Sequence, residues 1–176
     1  MEKIKNFLFF FSRLTNQKKE CIIKIVKSKN KGVGMSIAER INALRAELQE
    51  KNPFGEKVSI VLATKMRTVE EINEAILAGA DGVAENKAQE FREKTDLLLP
   101  CEHHFIGHLQ TNKVKYLVGK IALFHSCDRD ELANKIAEIS LKKGVVSNVL
   151  MQVNIGNEES KGGYAFDEAK EAFSQL

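Results

Sequence analysis

The stretch "VSIVLATKMRT" (Val58–Thr68) joins an apolar strand pattern to a charged end. Its first half, residues 58–63, is mostly apolar and β-branched, which is typical of a strand covered on both faces. Lys65 follows directly. An ammonium group at this point predicts either a lysine that extends to solvent after a buried strand or an amine held at a site.

The chain from Met35 onward alternates predicted strands and helices. Ser36 and Thr68 are predicted to cap two helices, the first running to about Lys51, and Gly79 to end the second. Helices are also predicted at 87–98, at 129–143 and from Phe166, with a short helix or turn at 109–119. The predicted strands are 58–64, 81–86, 101–107, 121–128 and 147–156. Strands that alternate with helices in this way indicate parallel βα units.

Two architectures fit this alternation, an open doubly wound sheet and a (β/α)₈ barrel. The segment after the first strand contains no glycine, which disfavours the dinucleotide-binding version of the open sheet. In a barrel, active-site groups follow the C-terminal ends of strands. The predicted strand ends carry Lys65, Glu85–Asn86, Gly107–His108, His125–Ser126 and Asn154. We therefore predict an α/β fold of the TIM-barrel type, incomplete here, with about five of eight βα units.

Composition bounds the class of protein. The chain has 176 residues and 43% hydrophobic content, which is enough for one ordinary core. Its net charge of +3 arises near the N-terminus, where residues 1–35 hold nine Lys/Arg and two Glu. The remainder holds 18 basic and 22 acidic residues. This distribution disfavours a nucleic-acid-binding module.

Residues 1–34 form a doubtful leader, and residues 35–176 the predicted domain. The segment "NFLFFF" (Asn6–Phe11) resembles the start of a signal peptide, but it is short and no small-residue cleavage site follows. It is also too short to span a membrane. An amphipathic surface anchor and translation from Met35 are the other interpretations, and we favour the last. We expect residues 1–34 to be disordered or not part of the native protein.

The cysteine and histidine patterns favour no metal site. Three widely spaced cysteines with no C-x-x-C pair indicate a reducing compartment and free thiols. His104 and His108 are four residues apart, but the strand-like sequence between them and the missing glutamate argue against a zinc helix. His125 is expected either to line a pocket or to serve a structural role.

Four sequence blocks carry a family resemblance. They are "LATK" ending at Lys65, "GVAENKAQE" (Gly82–Glu90), "HFIGHLQTNKVKYL" (His104–Leu117) and "QVNIGNEESKGG" (Gln152–Gly163). Together, in this order, they resemble the pyridoxal phosphate homeostasis protein family (the YggS/PROSC group), whose fold is similar to the barrel domain of alanine racemase. Residues 35–176 correspond to roughly the first two-thirds of a family member.

The resemblance implies a cofactor and three site residues. Lys65 would hold pyridoxal 5′-phosphate (PLP) as an internal aldimine, and Asn86 would lie beside the cofactor. Asn154 would lie near the ring and donate to its phenolate oxygen; for both asparagines, loop capping is the alternative. Lys161 is either a transient acceptor of the aldehyde or a surface lysine.

The resemblance also implies a role. It indicates a non-catalytic, monomeric and cytoplasmic PLP carrier, with apo PLP-dependent enzymes as partners and no nucleic-acid or membrane partner. A PLP-dependent racemase or decarboxylase and a cofactor-free Schiff-base aldolase remain alternatives. The family's Ser- and Gly-rich phosphate block does not occur in the sequence. We therefore expect weak PLP binding with little selectivity over pyridoxal.

Overall fold

The chain forms an α/β fold with a parallel sheet in the computed structural model. The structure describes residues 21–22, 35–48, 50–51, 55, 57–156, 158 and 162–175. Two units can be distinguished, Met1–Val83 with Leu98–Cys101 and Ala84–Leu97 with Glu102–Leu176. Each is described by itself below.

Helices and strands alternate along the described chain. The helices are α1 Ile37–Glu47, α2 Val69–Leu77, α3 Ala88–Lys94, α4 Asp130–Lys143 and α5 Ala169–Gln175, with 3₁₀ turns at Thr95–Leu97 and Thr111–Tyr116. The strands are β1 Cys21–Ile22, β2 Val58–Ser59, β3 Val61–Ala63, β4 Gly82–Glu85, β5 Glu102–Phe105, β6 Leu123–Cys127, β7 Val149–Met151, β8 Val153–Asn154 and β9 Tyr164–Ala165. None of the described helices is long and apolar enough to cross a bilayer.

Helices α1 and α2 begin at the caps that the sequence predicts. The Ser36 hydroxyl accepts from the Glu39 N–H at 3.1 Å, and the Glu39 carboxylate accepts from the Ser36 N–H at 2.7 Å. Thr68 and Glu71 make the same reciprocal pair at the start of α2. Each pair satisfies N–H groups that a helix end otherwise leaves open. Helix α1 ends at Glu47, before the predicted end near Lys51.

The predicted strand at 58–64 is interrupted at Ile60, within the first unit. The Ile60 N–H donates to the Asp81 carboxylate at 2.7 Å, and its carbonyl accepts from the Asp81 and Gly82 N–H groups. These bonds replace a regular strand ladder at that residue. The continuation, β3, neighbours β4 in the sheet order. Apolar side chains from both sides of the interruption are buried: Val58, Ile60 and Val61.

In the second unit the sheet order is β4-β5-β6-β7. Strands β5 and β6 are parallel with His104 opposite Leu123, and β6 and β7 are parallel with Phe124 opposite Val149. A buried apolar cluster joins this sheet to its helices: Ala88, Phe91, Phe105, Leu109, Val114, Leu117, Val118, Ile121, Phe124, Leu132, Ile136 and Ile139. The predicted α/β class with a parallel sheet is confirmed.

The predicted division at residue 34 falls mainly outside the described residues. Of residues 1–34 the structure describes only Cys21–Ile22, which pair in parallel with Val58–Ser59. The predicted strand at 147–156 is divided at Gln152 into β7, which pairs with β6, and β8, which pairs with β9. The Gln152 N–H donates to the Cys127 carbonyl of β6 at 2.8 Å, and its carbonyl accepts from the Tyr164 N–H of β9 at 2.9 Å.

Candidate functional site

Lys65 occupies a tight turn at the end of β3, in the first unit. The Arg67 N–H donates to the Thr64 carbonyl at 3.1 Å, so Lys65 and Met66 form the centre of the turn. Met66 has φ of 59°, a left-handed conformation that costs a non-glycine residue about 1–2 kcal/mol. Strained backbone of this kind is concentrated at functional sites. The strained turn therefore identifies the Lys65 position as a candidate functional site.

The turn is fixed on both sides. Thr64 is buried, and three residues after Lys65 the Thr68 cap starts α2. Arg67 adds an ion pair to Glu71 at 3.1 Å. Lys65 itself is exposed, as in the first of the two alternatives given for its position, a lysine that extends to solvent after a buried strand. The backbone at its position is thus held while its side chain reaches solvent.

Asn86 follows β4 in the second unit, where the backbone of Gly107 lies against it. A β-carbon built on Gly107 would be 2.0 Å from the Asn86 carbonyl oxygen and 2.8 Å from its Cα. The Ile106 N–H donates to the Glu85 carbonyl at 3.0 Å, and the Ser126 hydroxyl donates to the Gly107 carbonyl. Only glycine permits this approach of the β5 end to the β4 end.

Glu85, immediately before Asn86, takes part in a buried ion pair. Lys94 donates to Glu85 and Glu90, at 3.1 Å in each case. Burial alone would lower the pKa of Lys94, but the two carboxylates outweigh it and raise that pKa above its ordinary value. Glu85 thereby connects the end of β4 to α3, which fixes the backbone that carries Asn86.

The side chain of Asn154 closes its own loop. Its Nδ2 donates to the Glu158 carbonyl at 3.0 Å, and its Oδ1 accepts from the Glu158 N–H at 3.2 Å. Loop capping, the alternative considered for this residue, is therefore what the structure displays.

The predicted site residues lie in different parts of the chain. Lys65 belongs to the first unit, whereas Asn86 and Asn154 belong to the second. Within the second unit, β5 and β6 separate β4 from β7. Asn86 directly follows β4, whereas Asn154 ends β8, which pairs with β9 outside the sheet that contains β4.

His125 lies within β6 and pairs with His104 of β5. The His104 Nδ1 and His125 Nε2 atoms are 3.0 Å apart. The His104 Nε2 is buried without a hydrogen-bond partner among the described residues, 3.6 Å from a Glu102 oxygen. Burial lowers the pKa of both rings, that of His125 to about 3, and for His125 the neighbouring His104 adds to the effect. Both rings are neutral near pH 7.

Strand β6 lies within the predicted strand 121–128 but ends at Cys127. The residue after its end is therefore Asp128, whereas the sequence predicted His125–Ser126 as the polar groups at this strand end. The buried Asp128 carboxylate contacts the Nδ1 of His108 at 2.8 Å, and the His108 side chain is 66% exposed. Sequence analysis placed His108 at a strand end but did not pair it with Asp128, which is 20 residues away. No group of three or more metal-ligating side chains occurs in the part of the chain that the structure describes.

The fold and these positions define an α/β protein with a lysine in a turn after a buried strand and polar groups after further strands. No family model matches the chain. It is 42% identical over 145 residues to the pyridoxal phosphate homeostasis protein of Aquifex aeolicus, covering 79% of this chain and 64% of that protein. It is 37% identical to the Helicobacter pylori protein of the same name, covering 78% and 65%.

Solved structures agree with these relatives. PipY of Synechococcus elongatus, with PLP bound, is 29% identical and has a TM-score of 0.66, covering 80% of this chain and 63% of PipY. PipY without PLP has a TM-score of 0.67. Over the part that it spans, the chain is similar in sequence and fold to the pyridoxal phosphate homeostasis protein family. It spans slightly less than two thirds of the length of these curated relatives.

Proposed function

We propose that the chain binds PLP in PLP homeostasis, through a Schiff base with Lys65 and without catalytic turnover. The observation that carries this proposal is the Lys65 turn. A primary amine stands there on a fixed, strained backbone at the end of a buried strand. Relatives named pyridoxal phosphate homeostasis proteins and the PLP-bound structure of PipY support the choice of ligand.

Lys65 has the chemistry that this ligand requires. A primary amine condenses with an aldehyde once it has lost its proton. Its turn fixes the backbone from which the side chain extends, and its exposure leaves the amine accessible to an incoming aldehyde. PLP supplies the aldehyde and a ring that withdraws electrons.

Asn86 and Asn154 are the proposed non-covalent contacts of the ligand. The backbone of Asn86 is fixed by Gly107, which favours a defined position for its amide. Asn154 is the less direct contact, because its side chain also caps the 154–158 loop. On this proposal, the two amides orient the ligand and take no part in forming the Schiff base.

The finer architecture belongs to the same proposal. We infer a TIM-type barrel of which this chain contributes about five βα units. Residues 35–176 would form its N-terminal two-thirds, and residues 1–34 a leader outside the native domain. The alternation of helices with a parallel sheet and the similarity to PipY support this inference.

The family name describes homeostasis rather than an enzyme, which supports a carrier role. On this proposal the chain acts as a cytoplasmic monomer that delivers PLP to apo PLP-dependent enzymes. On the same proposal, PLP binding itself involves no partner protein and no nucleic acid.

The experiment is a visible absorption titration of the purified chain with PLP. We expect an imine band that is absent from the Lys65→Ala variant. Added amino acids should not be consumed or isomerised with turnover; such turnover would favour a racemase or decarboxylase. A chain that gives no band with PLP but reacts with simple carbonyl substrates would favour an aldolase-type protein.

A further inference from the structure

His108 and Asp128 form a carboxylate–imidazole pair in the second unit, outside the residues assigned above. The pair joins the ends of β5 and β6 through the 2.8 Å contact between His108 Nδ1 and Asp128 Oδ2. The Asp128 side chain is 5% exposed, and that of His108 is 66% exposed. A buried carboxylate thus holds one nitrogen of a ring whose body faces solvent.

Asp128 is itself held in place. Arg129 donates to its other carboxylate oxygen, and a second Arg129 nitrogen donates to the Leu109 carbonyl at 2.9 Å. A β-carbon built on Gly162 would lie 2.8 Å from Asp128 Oδ2. The Gly162 carbonyl accepts in turn from the Gln152 side chain at 2.6 Å. The carboxylate therefore has little freedom to move, and the ring that it orients is held with it.

This arrangement fixes the chemistry of the ring. With Asp128 ionised, the neutral ring carries its proton on Nδ1, which donates to the carboxylate. The lone pair is then on Nε2, the nitrogen not engaged by Asp128. A carboxylate that fixes a histidine tautomer in this way prepares the outer nitrogen to accept a proton.

His108 also adjoins a proposed ligand contact. Gly107, the preceding residue, lies directly against the Asn86 backbone. These residues form a continuous series within the second unit. Asn86 contacts Gly107, His108 follows Gly107 along the chain, and His108 contacts Asp128. Asn86 and His108 thus follow neighbouring strands, β4 and β5, and the proposed function, which brings PLP to Asn86, brings it to the strand end that carries His108.

We propose that His108, oriented by Asp128, is the proton carrier for exchange of the bound aldehyde between amines. His108 Nε2 takes a proton from an incoming primary ammonium group, which frees the nitrogen lone pair to form a bond to the aldehyde-derived carbon. His108 gives this proton to the departing nitrogen of the protonated Schiff base and takes a second proton from the attacking nitrogen. The bond from carbon to the departing nitrogen then breaks as the attacking nitrogen forms the new double bond, and His108 gives the second proton to the departing amine. The incoming nitrogen loses two protons and the departing nitrogen gains two, so atoms, charge and electrons balance without an oxidant or reductant. This inference rests on the proposed function.

The test compares the wild-type chain with His108→Gln and Asp128→Asn, each loaded with PLP. We measure equilibrium PLP affinity by absorption, and the rate of transfer to a small primary amine by stopped flow. His108→Gln should slow transfer by about 100-fold, within the range of a lost proton carrier, with affinity nearly unchanged. Added imidazole should restore the rate of His108→Gln. His103→Gln, a substitution on β5 away from the pair, is the matched control and should retain the wild-type rate.

A ligand-free readout accompanies the kinetics. Nitrogen NMR of the histidine rings should assign the proton of neutral His108 to Nδ1 in the wild-type chain, and this preference should weaken in Asp128→Asn. Wild-type uptake of PLP together with an unchanged transfer rate in His108→Gln would overturn this inference alone. A slower rate with an equal loss of affinity and no rescue by imidazole would also overturn it. Failure of the wild-type chain to take up PLP would overturn the proposed function and, with it, this inference.

Discussion

Gly107 lies so close to Asn86 that a β-carbon at position 107 would be 2.0 Å from the Asn86 carbonyl oxygen. No side-chain adjustment relieves this overlap, because both partners are backbone. Gly107→Ala should therefore force the ends of β4 and β5 apart. We expect a loss of about 3 kcal/mol in the free energy of unfolding, at the upper end for overpacking, measured by urea denaturation.

Gly156→Ala is the matched control for that substitution. Its nearest neighbour is the flexible Glu158 side chain, at 3.4 Å from the added carbon. It should change the unfolding free energy by less than about 1 kcal/mol. Equal stability of the two variants would show that the Gly107–Asn86 approach is not required.

Asp81 connects three parts of the first unit, and its removal should destabilise that unit. It accepts from Arg45, from Lys57 at 2.6 Å and from the Ile60 N–H at 2.7 Å. Asp81→Asn should cost about 2 kcal/mol, because bonds to a charged group are lost or weakened. Asp96→Asn, at a largely exposed position, should have little effect in the same denaturation experiment.

The same carboxylate predicts a pH dependence. Burial alone would raise the pKa of Asp81, but its hydrogen bonds to Lys57, Ile60 and Arg45 outweigh burial and hold it below 3.8. Its contribution to stability is therefore complete above pH 3.8 and is lost as the pH falls through the folded-state pKa. Asp81→Asn should show a shallower loss of stability below pH 4. An unchanged acid slope would contradict this assignment.

Met66 should be tolerant of glycine and intolerant of valine. Its φ of 59° is unfavourable for a β-branched residue, and its side chain is 84% exposed, so little burial is lost on replacement. Met66→Gly should be more stable than Met66→Val by about 1–2 kcal/mol in thermal or chemical unfolding. A valine variant as stable as the glycine variant would indicate that the turn is not held in this conformation.

His125 should make the chain sensitive to acid. Burial and then the neighbouring His104 lower its pKa from 6.5 to about 3. The unfolded chain therefore binds a proton that the folded chain does not, and stability falls as the pH drops from about 6.5 towards 3. His125→Gln should flatten this part of the curve in denaturation experiments between pH 7 and pH 4. Curves of identical slope would argue against a buried neutral pair.

Local sequence chemistry predicted the first unit well. Ser36 and Thr68 are followed three residues later by glutamate, and both form the reciprocal caps that this spacing predicts. The interruption at Ile60 was not predictable, because it depends on Asp81, 21 residues away. A hydrophobic pattern indicates which residues are buried, but not which backbone N–H groups will donate to a carboxylate distant in the sequence.

The candidate site was only partly predictable for the same reason. Lys65 could be predicted as a candidate site residue from the strand pattern that precedes it and from the family resemblance. The His108–Asp128 pair depends on the parallel alignment of β5 with β6 and on the end of β6 at Cys127, which leaves Asp128 as the residue after the strand. The sequence offered Asn154 as a ligand contact, and the structure adds that its amide caps a loop.

The central claim is that Lys65 is the residue that bonds covalently to PLP. The most direct measurement is borohydride reduction of the PLP-treated chain, followed by peptide mass spectrometry, in the wild-type, Lys65→Ala and Lys113→Ala proteins. Lys113 is an exposed lysine of the second unit and serves as the control. We predict one dominant phosphopyridoxyl adduct on Lys65, retained in Lys113→Ala and lost in Lys65→Ala. An adduct of equal yield on another lysine in Lys65→Ala would contradict the account.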